Sequence, residues 1–206
     1  MPFPTYAVST ELDAVNQILS SVGQAPVTTL DLQNPEVFIT VNTIREVSKQ
    51  VQLEGWTFNT ERKYLLKRNP ATKEITVPSN VLSIDGNDEK HINEFDLVVR
   101  QGKLYDRLES TYEFDDDIHV DVVWYWDFQY LPPAVQSFIT AKAARLCTIK
   151  MVGDRDLNTL LEEQEAMCRA TLIENECNSG DYTMFGHRDG QNYYTSYQPF
   201  KALSRQ

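Results

Sequence analysis

The chain has 206 residues, 41% of them hydrophobic and 24% charged, with a net charge of −11 from 30 acidic and 19 basic side chains. That length and balance exclude a disordered type for the middle of the chain and allow a sizeable buried core. So acidic a protein repels a phosphate backbone, which disfavours nucleic-acid binding by counterion release but would suit a surface past which DNA slides.

The opening stretch, "MPFPTYAVST", carries neither the basic flank nor the apolar centre of a signal peptide. No run approaches the ~20 apolar residues that span a bilayer. A soluble protein made in the cytoplasm, with no membrane partner, is expected. Residues Thr10 to Val22 then read as a helix: Leu12, Val15, Ile18, Leu19 and Val22 form one stripe, Thr10 and Asp13 a capping box, and Gly23 a stop. Asn34-Pro35 starts a second helix, with Val37, Val41, Ile44, Val47 and Val51 on its buried side and Gly55 at its end.

The stretch "GWTFNTERKYLL" (Gly55 to Leu66) follows at once. Its rings could form a ligand platform, but the change of period favours a joint where a helix hands over to a sheet. In a strand Trp56 and Phe58 would share one face. "KEITVP" and "VLSIDG" are short strand candidates, and "FDLVVRQGKLYDRL" is a hairpin turning at Gln101-Gly102. In "IHVDVVWYWDF" the alternation puts Ile118, Val120, Val122, Trp124, Trp126 and Phe128 on one face, with Trp124 and Trp126 read as core.

Helical spacing returns after Pro132-Pro133 with Val135, Phe138, Ile139, Leu146 and Ile149. Asp154 can cap a fourth helix carrying Leu157, Leu160, Leu161, Met167, Cys168 and Leu172. The order predicts an α+β chain, a four-helix bundle with an inserted antiparallel β-sheet domain and an extended C-terminal arm. The boundaries fall at 1–55 and 131–177 for the two halves of the bundle, 56–130 for the sheet and 178–206 for the arm. The arm holds Tyr182, Phe185, Tyr193, Tyr194, Tyr197 and Phe200, a density of rings unlike a solvated tail. These rings are read as contacts to a neighbouring subunit or partner, with packing on their own domain as the alternative.

Catalytic and metal chemistry finds little support. Cys147, Cys168 and Cys177 lack metal-ligand spacing and read as reduced, helix-packing thiols, and His91, His119 and His187 are scattered. Glu113, Asp115, Asp116 and Asp117 could supply the paired carboxylates of a polysaccharide hydrolase, but a clustered run before a strand reads as a solvated turn. Glu162, Glu163 and Glu165 read as facing solvent. No phosphate-cradling glycine loop, dinucleotide fingerprint or GxSxG elbow occurs. No catalytic residue, metal or cofactor is assigned. A free binding module is the other non-enzyme class, expected to be monomeric.

The blocks "ELDAVNQILSSVGQAPVTTL" (Glu11 to Leu30) and "GWTFN" (Gly55 to Asn59) resemble the tail tubular protein A family, the head-to-tail adaptors, or gatekeepers, of short-tailed podovirus-type bacteriophages. "GKLYDR", "LPPAVQSFITAKAAR" and "LLEEQEAMCRA" continue the similarity in order over about residues 10 to 175. The resemblance implies a virion structural protein at the head–tail junction, a dodecameric ring binding the portal protein above and the tail nozzle protein (tail tubular protein B) below. It also implies a tail fibre attachment zone and a central channel for double-stranded DNA during ejection, without specific binding, and it carries no catalytic residues. The charge predicts that purified protein leaves a DNA duplex unretarded in a salt titration. Tight binding that weakens steeply with added salt would contradict it.

Overall fold

Helix α1 (Glu11–Val22) begins where the sequence places a cap. The Thr10 hydroxyl accepts the Asp13 N–H at 3.2 Å and the Asp13 carboxylate accepts the Thr10 N–H at 2.9 Å, while Gly23 closes the helix at φ +83°. The computed structural model describes residues 10–86 and 95–179. Helix α2 (Pro35–Gln52) starts on the Asn34 side chain, and all the valines and the isoleucine of its expected stripe are buried. Strands follow: β1 (Thr60–Leu66), β2 (Val81–Gly86), β3 (Leu97–Arg100), β4 (Lys103–Asp106) and β5 (Ile118–Trp124). Then come a 3-10 turn (Phe128–Tyr130), α3 (Pro133–Met151) and α4 (Arg155–Ser179), so the class is α+β.

Helix α3 is the hub. The other three helices each run against it or pack through it, so it is buried on several sides, by Val135, Phe138, Ile139 and Cys147 and by the small Ala141, Ala143 and Ala144. Its buried Thr140 and Thr148 donate to the carbonyls of Gln136 and Ala144, which satisfies hydroxyls that no solvent reaches. Leu157, Leu161, Cys168 and Leu172 of α4 meet this core. Leu160 and Met167, expected in the same stripe, stand 64% and 72% exposed, because among the helices α4 packs chiefly on α3 and buries only a narrow seam. Ile149 of α3 is likewise exposed.

The sheet has the order β1-β5-β2, antiparallel throughout, with β3 and β4 forming a separate hairpin. That hairpin turns at Gln101 (φ 52°) and Gly102 (φ 73°), the pair of positive angles a two-residue turn requires. Ile118, Val120, Val122 and Trp124 of β5 face a second core with Leu66, Ile75, Val77, Leu104 and Phe114. The "KEITVP" segment is not a strand. Glu74 bridges to Glu113 but Thr76 to Lys103, so the ladder changes partner after one rung. Both edge strands slip register against β5, β1 between Glu61 and Tyr64 and β2 between Val81 and Ser83. The first slip is a bulge in which Lys63 takes φ 55° and its N–H bonds the Asp121 carboxylate at 2.9 Å.

The cap on α1 makes a pH-dependent prediction. Hydrogen bonds from the Thr10 hydroxyl and N–H hold the Asp13 carboxyl below its ordinary 3.8. A lowered folded value means that the stabilisation is fully present above 3.8 and is lost as pH falls below that value and through the lower folded one. Thr10→Ala should cost about 1 kcal/mol at neutral pH. The melting-temperature gap between the parent and Asp13→Asn should narrow as the solution is acidified below 3.8.

Candidate functional site

Two buried amides join helices to sheet. Gln52, the last residue of α2, is 0% exposed, and its Nε2 donates to the Ser48 hydroxyl and the Trp126 carbonyl, both at 2.9 Å. Its Oε1 accepts the Trp126 N–H at 2.8 Å. Asn59, 1% exposed, donates from Nδ2 to the carbonyls of Gln52 at 2.8 Å and Trp124 at 3.0 Å, and accepts the Trp56 N–H at 2.8 Å. The Trp124 N–H donates back to the Asn59 carbonyl at 2.8 Å. Each side-chain amide is thus used on both its oxygen and its nitrogen, as burial demands.

Local sequence explains why the chain can turn here. Helix α2 stops at Gln52, and the turn through Leu53 and Glu54 reaches Gly55 at φ +76°, a left-handed conformation that favours glycine. Trp56 to Asn59 then form a turn closed by the Asn59 N–H on the Trp56 carbonyl at 3.1 Å, and β1 begins only at Thr60. Trp56 and Phe58 therefore do not share a strand face. Trp56 is buried in the helical core, its indole N–H on the Val51 carbonyl at 2.7 Å, and Phe58 is half-buried at the edge of that core. Helix α4 clamps the turn from outside: the Glu176 carboxylate accepts the Thr57 N–H at 2.8 Å and hydroxyl at 3.0 Å. Arg169 pairs with Glu54 at 2.8 Å and lies 5.3 Å from the centre of the Phe138 ring.

Of the expected joint residues, Trp124 is in the sheet core, edge-on to Tyr64 with ring centres 5.3 Å apart. Trp126 is not core. Strand β5 ends at Trp124, the Trp126 backbone is captured by Gln52 instead of a strand, and the side chain turns outward, 40% exposed. Phe128, assigned by alternation to the sheet face, belongs to the helical core. The joint so contains three of the expected residues but depends on Gln52 and Asn59, which the sequence reading passed over. Their one signal was position: a polar residue beside the α2 stripe, and another just before the strand. Tyr182, Phe185, Tyr193, Tyr194, Tyr197 and Phe200 lie outside the described residues.

The acidic run behaves as a solvated turn. Glu113, Asp115, Asp116 and Asp117 are exposed; Asp115 pairs with Lys73 at 2.8 Å and Asp117 accepts the Arg68 N–H at 2.9 Å. The Lys73 ammonium holds the Asp115 carboxyl below its ordinary value, the opposite of the shift a general acid needs. Glu162 and Glu163 face solvent, but Glu165 does not: it pairs with Arg145 in a half-buried bridge between α4 and α3. Cys147 is buried and Cys168 partly so, and burial pushes both thiols up; Cys177 is exposed. Among the described residues no group of three His, Cys, Asp or Glu side chains is gathered as metal ligands would be.

What the surface does offer is apolar contact area beside the joint. One groove of about 600 Å³ lies between the turn at Thr57-Phe58, the start of α3 and the last turns of α4. A second, of about 630 Å³, is lined by Phe58, Trp126, Tyr130 and Pro132 with Asn80, Tyr125 and Asp127. A third depression of about 310 Å³ runs from Glu11 and Arg45 to Tyr125 and Asp127. Exposed apolar patches of this kind mark contact sites for proteins or other ligands. The sequence profile of the tail tubular protein family matches residues 12–182. This chain belongs to that family. It is also 26% identical, over 184 residues covering 86% of this chain and 95% of the relative, to Tail tubular protein A of Klebsiella phage KP34. As a tail tubular protein it is a structural component of a virion tail.

The joint of this tail tubular protein can be tested by unfolding. Asn59→Ala orphans the Trp56 N–H and removes the Asn59 donor from the Trp124 and Gln52 carbonyls, the second of which keeps the Gly55 N–H, so it should cost about 2 kcal/mol or more at roughly 1–3 kcal/mol for a buried group left unpaired. Trp56→Ala should cost about 3–5 kcal/mol through the cavity it leaves. Trp126→Ala should stay within about 1 kcal/mol of the parent, since its anchoring bonds are made by the backbone. Urea titrations would rank the three; a larger loss for Trp126→Ala than for Asn59→Ala would contradict this account of the joint.

Proposed function

We propose that this protein is the head-to-tail adaptor of a short-tailed phage, a dodecameric ring between the portal protein and the tail nozzle protein. The observation that carries this reading is the family match over residues 12–182, together with the near full-length likeness to a protein named Tail tubular protein A. Geometry supports a contact-making role. Phe38, Leu53, Val152, Leu160 and Met167 are exposed on or beside three different helices, and a heterologous closing interface needs two such surfaces on each subunit.

In this reading the helices act as a four-helix bundle, residues 1–55 and 131–177, with the β segment of residues 56–130 inserted. The rings from Tyr182 to Phe200 belong to an extended arm, residues 178–206, that meets a neighbouring subunit or the portal or nozzle. The double-stranded DNA passes through the ring without specific binding, the net acidity of −11 opposing adhesion. Tail fibres attach at the periphery. The protein is made in the host cytoplasm and ends at the head–tail junction, and it performs no reaction and holds no cofactor. Among the described residues no helix is long and apolar enough to cross a membrane.

Electron microscopy and mass measurement of the purified protein, alone and mixed with portal, test the reading. Closed twelvefold rings seated on the portal are expected. A monomer that leaves the portal bare in both preparations would overturn it.

A further inference from the structure

Given the adaptor ring proposed above, on which this step rests, we propose that the outward face of α2 in one copy docks on the outward face of α4 in the next. Sequence spacing defines both faces. On α2, Phe38, Asn42, Arg45 and Lys49 follow one another at steps of four, three and four residues, and Leu53, just past the helix, continues the row. On α4, Asp156, Leu160, Glu163, Met167, Ala170 and Glu174 alternate steps of four and three along the outer side. Every residue of both rows is exposed, and each row stands away from the buried stripe of its own helix. Rows of this period are the seams by which two helices pack side by side, crossing at about 20°.

The two faces are opposite in charge. The α2 row has a basic centre, Arg45 and Lys49, between the apolar ends Phe38 and Leu53. Arg45 touches Glu11 at 3.4 Å and keeps more than half of its side chain exposed, while Glu46 on the flank is countered by Lys150 at 3.7 Å. The α4 row is acidic at Asp156, Glu163 and Glu174 and apolar at Leu160 and Met167. Among the described residues neither Lys49 nor Glu163 makes an ion pair. In a chain of net charge −11 most surfaces repel a second copy, so a basic stripe is where an acidic helix of that copy is accepted. At about 1.5 Å per residue, Arg45 and Lys49 stand about 6 Å apart along the axis, room for one carboxylate between them. With Glu163 there, Leu160 and Met167 fall inward of Phe38 and Leu53 whichever way the helices run, so apolar contacts bound the charged centre and help to exclude water. Within one molecule the faces do not meet, because α2 and α4 both pack on α3 and turn these rows away from it. A contact of α2 with α4 is heterologous: it repeats from copy to copy and ends only by closing.

Mass photometry of the full-length protein over a concentration series, alone and with portal, tests the interface. Leu160→Ser combined with Met167→Ser should raise the half-assembly concentration about tenfold or more. The melting temperature of the monomer should stay in place, since both side chains are exposed there. Lys49→Glu and Glu163→Lys should each weaken assembly several-fold. An equimolar mixture of those two variants, or one chain carrying both changes, should recover most of the parent's assembly, which damage to the fold would not do. A photoreactive benzoylphenylalanine in place of Leu160, in isotope-labelled chains mixed with unlabelled ones, should cross-link to residues 38–53 of the unlabelled copy. Unchanged assembly in every variant, weakening that neither combination reverses, or cross-links only elsewhere would overturn the interface, while an assembling parent keeps the adaptor reading standing. A parent that stays monomeric with and without portal overturns the ring reading, and this interface with it.

Discussion

The exchange of hydrogen bonds between Gln52, Asn59 and the backbone of Trp124 and Trp126 is the constraint on which the rest of the architecture hangs. Helices satisfy their own backbone and sheets satisfy theirs, but where one hands over to the other the last carbonyls and first N–H groups are orphaned. Here several of those orphans are buried, and two side-chain amides replace water at the N–H groups of Trp56 and Trp126 and the carbonyls of Gln52, Trp124 and Trp126. The arrangement ties the helical core, with Trp56, and the sheet core, with Trp124, to the side chain of one asparagine. In a low-dielectric setting such a network holds one geometry, because any rotation leaves several groups unpaired together. Glu176 and Arg169 then brace the same turn from α4, so the last helix reports on the first handover.

Local rules were legible in the sequence and tertiary ones were not. The caps at Thr10 and Asn34, the α2 stripe and the hairpin at Gln101-Gly102 depend on residues a few positions apart, and each stands where its chemistry points. Alternation carried too far at Trp126, because the pattern cannot say where neighbouring strands stop. The pairs of β5 with β1 and β2 run out at Val123 and Trp124, and beyond them nothing keeps the odd and even faces apart. Gln52 and Asn59 were invisible for the opposite reason: an amide looks like a surface residue until its partners, up to 74 positions away, are in place. Glu165 failed in the same way, its Arg145 partner lying on another helix.

Helix α3 shows how composition can encode a position rather than a face. Its mixture of alanine, threonine and a few large side chains has little one-sided apolar bias, which from sequence alone resembles a weak amphipathic helix. The structure makes it the central rod, where small residues let neighbours approach and threonines bond back to their own helix. The consequence at the periphery is that α2 and α4 keep apolar side chains such as Phe38, Leu160 and Met167 turned outward.

The slipped registers of β1 and β2 carry a consequence beyond the sheet itself. An open edge strand is a template for adding another chain's strand, and proteins crowded together extend such edges into fibres. With a register slip in each flanking strand, neither β1 nor β2 presents an even row of backbone donors and acceptors, which disfavours such addition. Any contact made at these edges therefore has to be specified by side chains, which fix an orientation, and not by backbone, which would accept any strand that arrived.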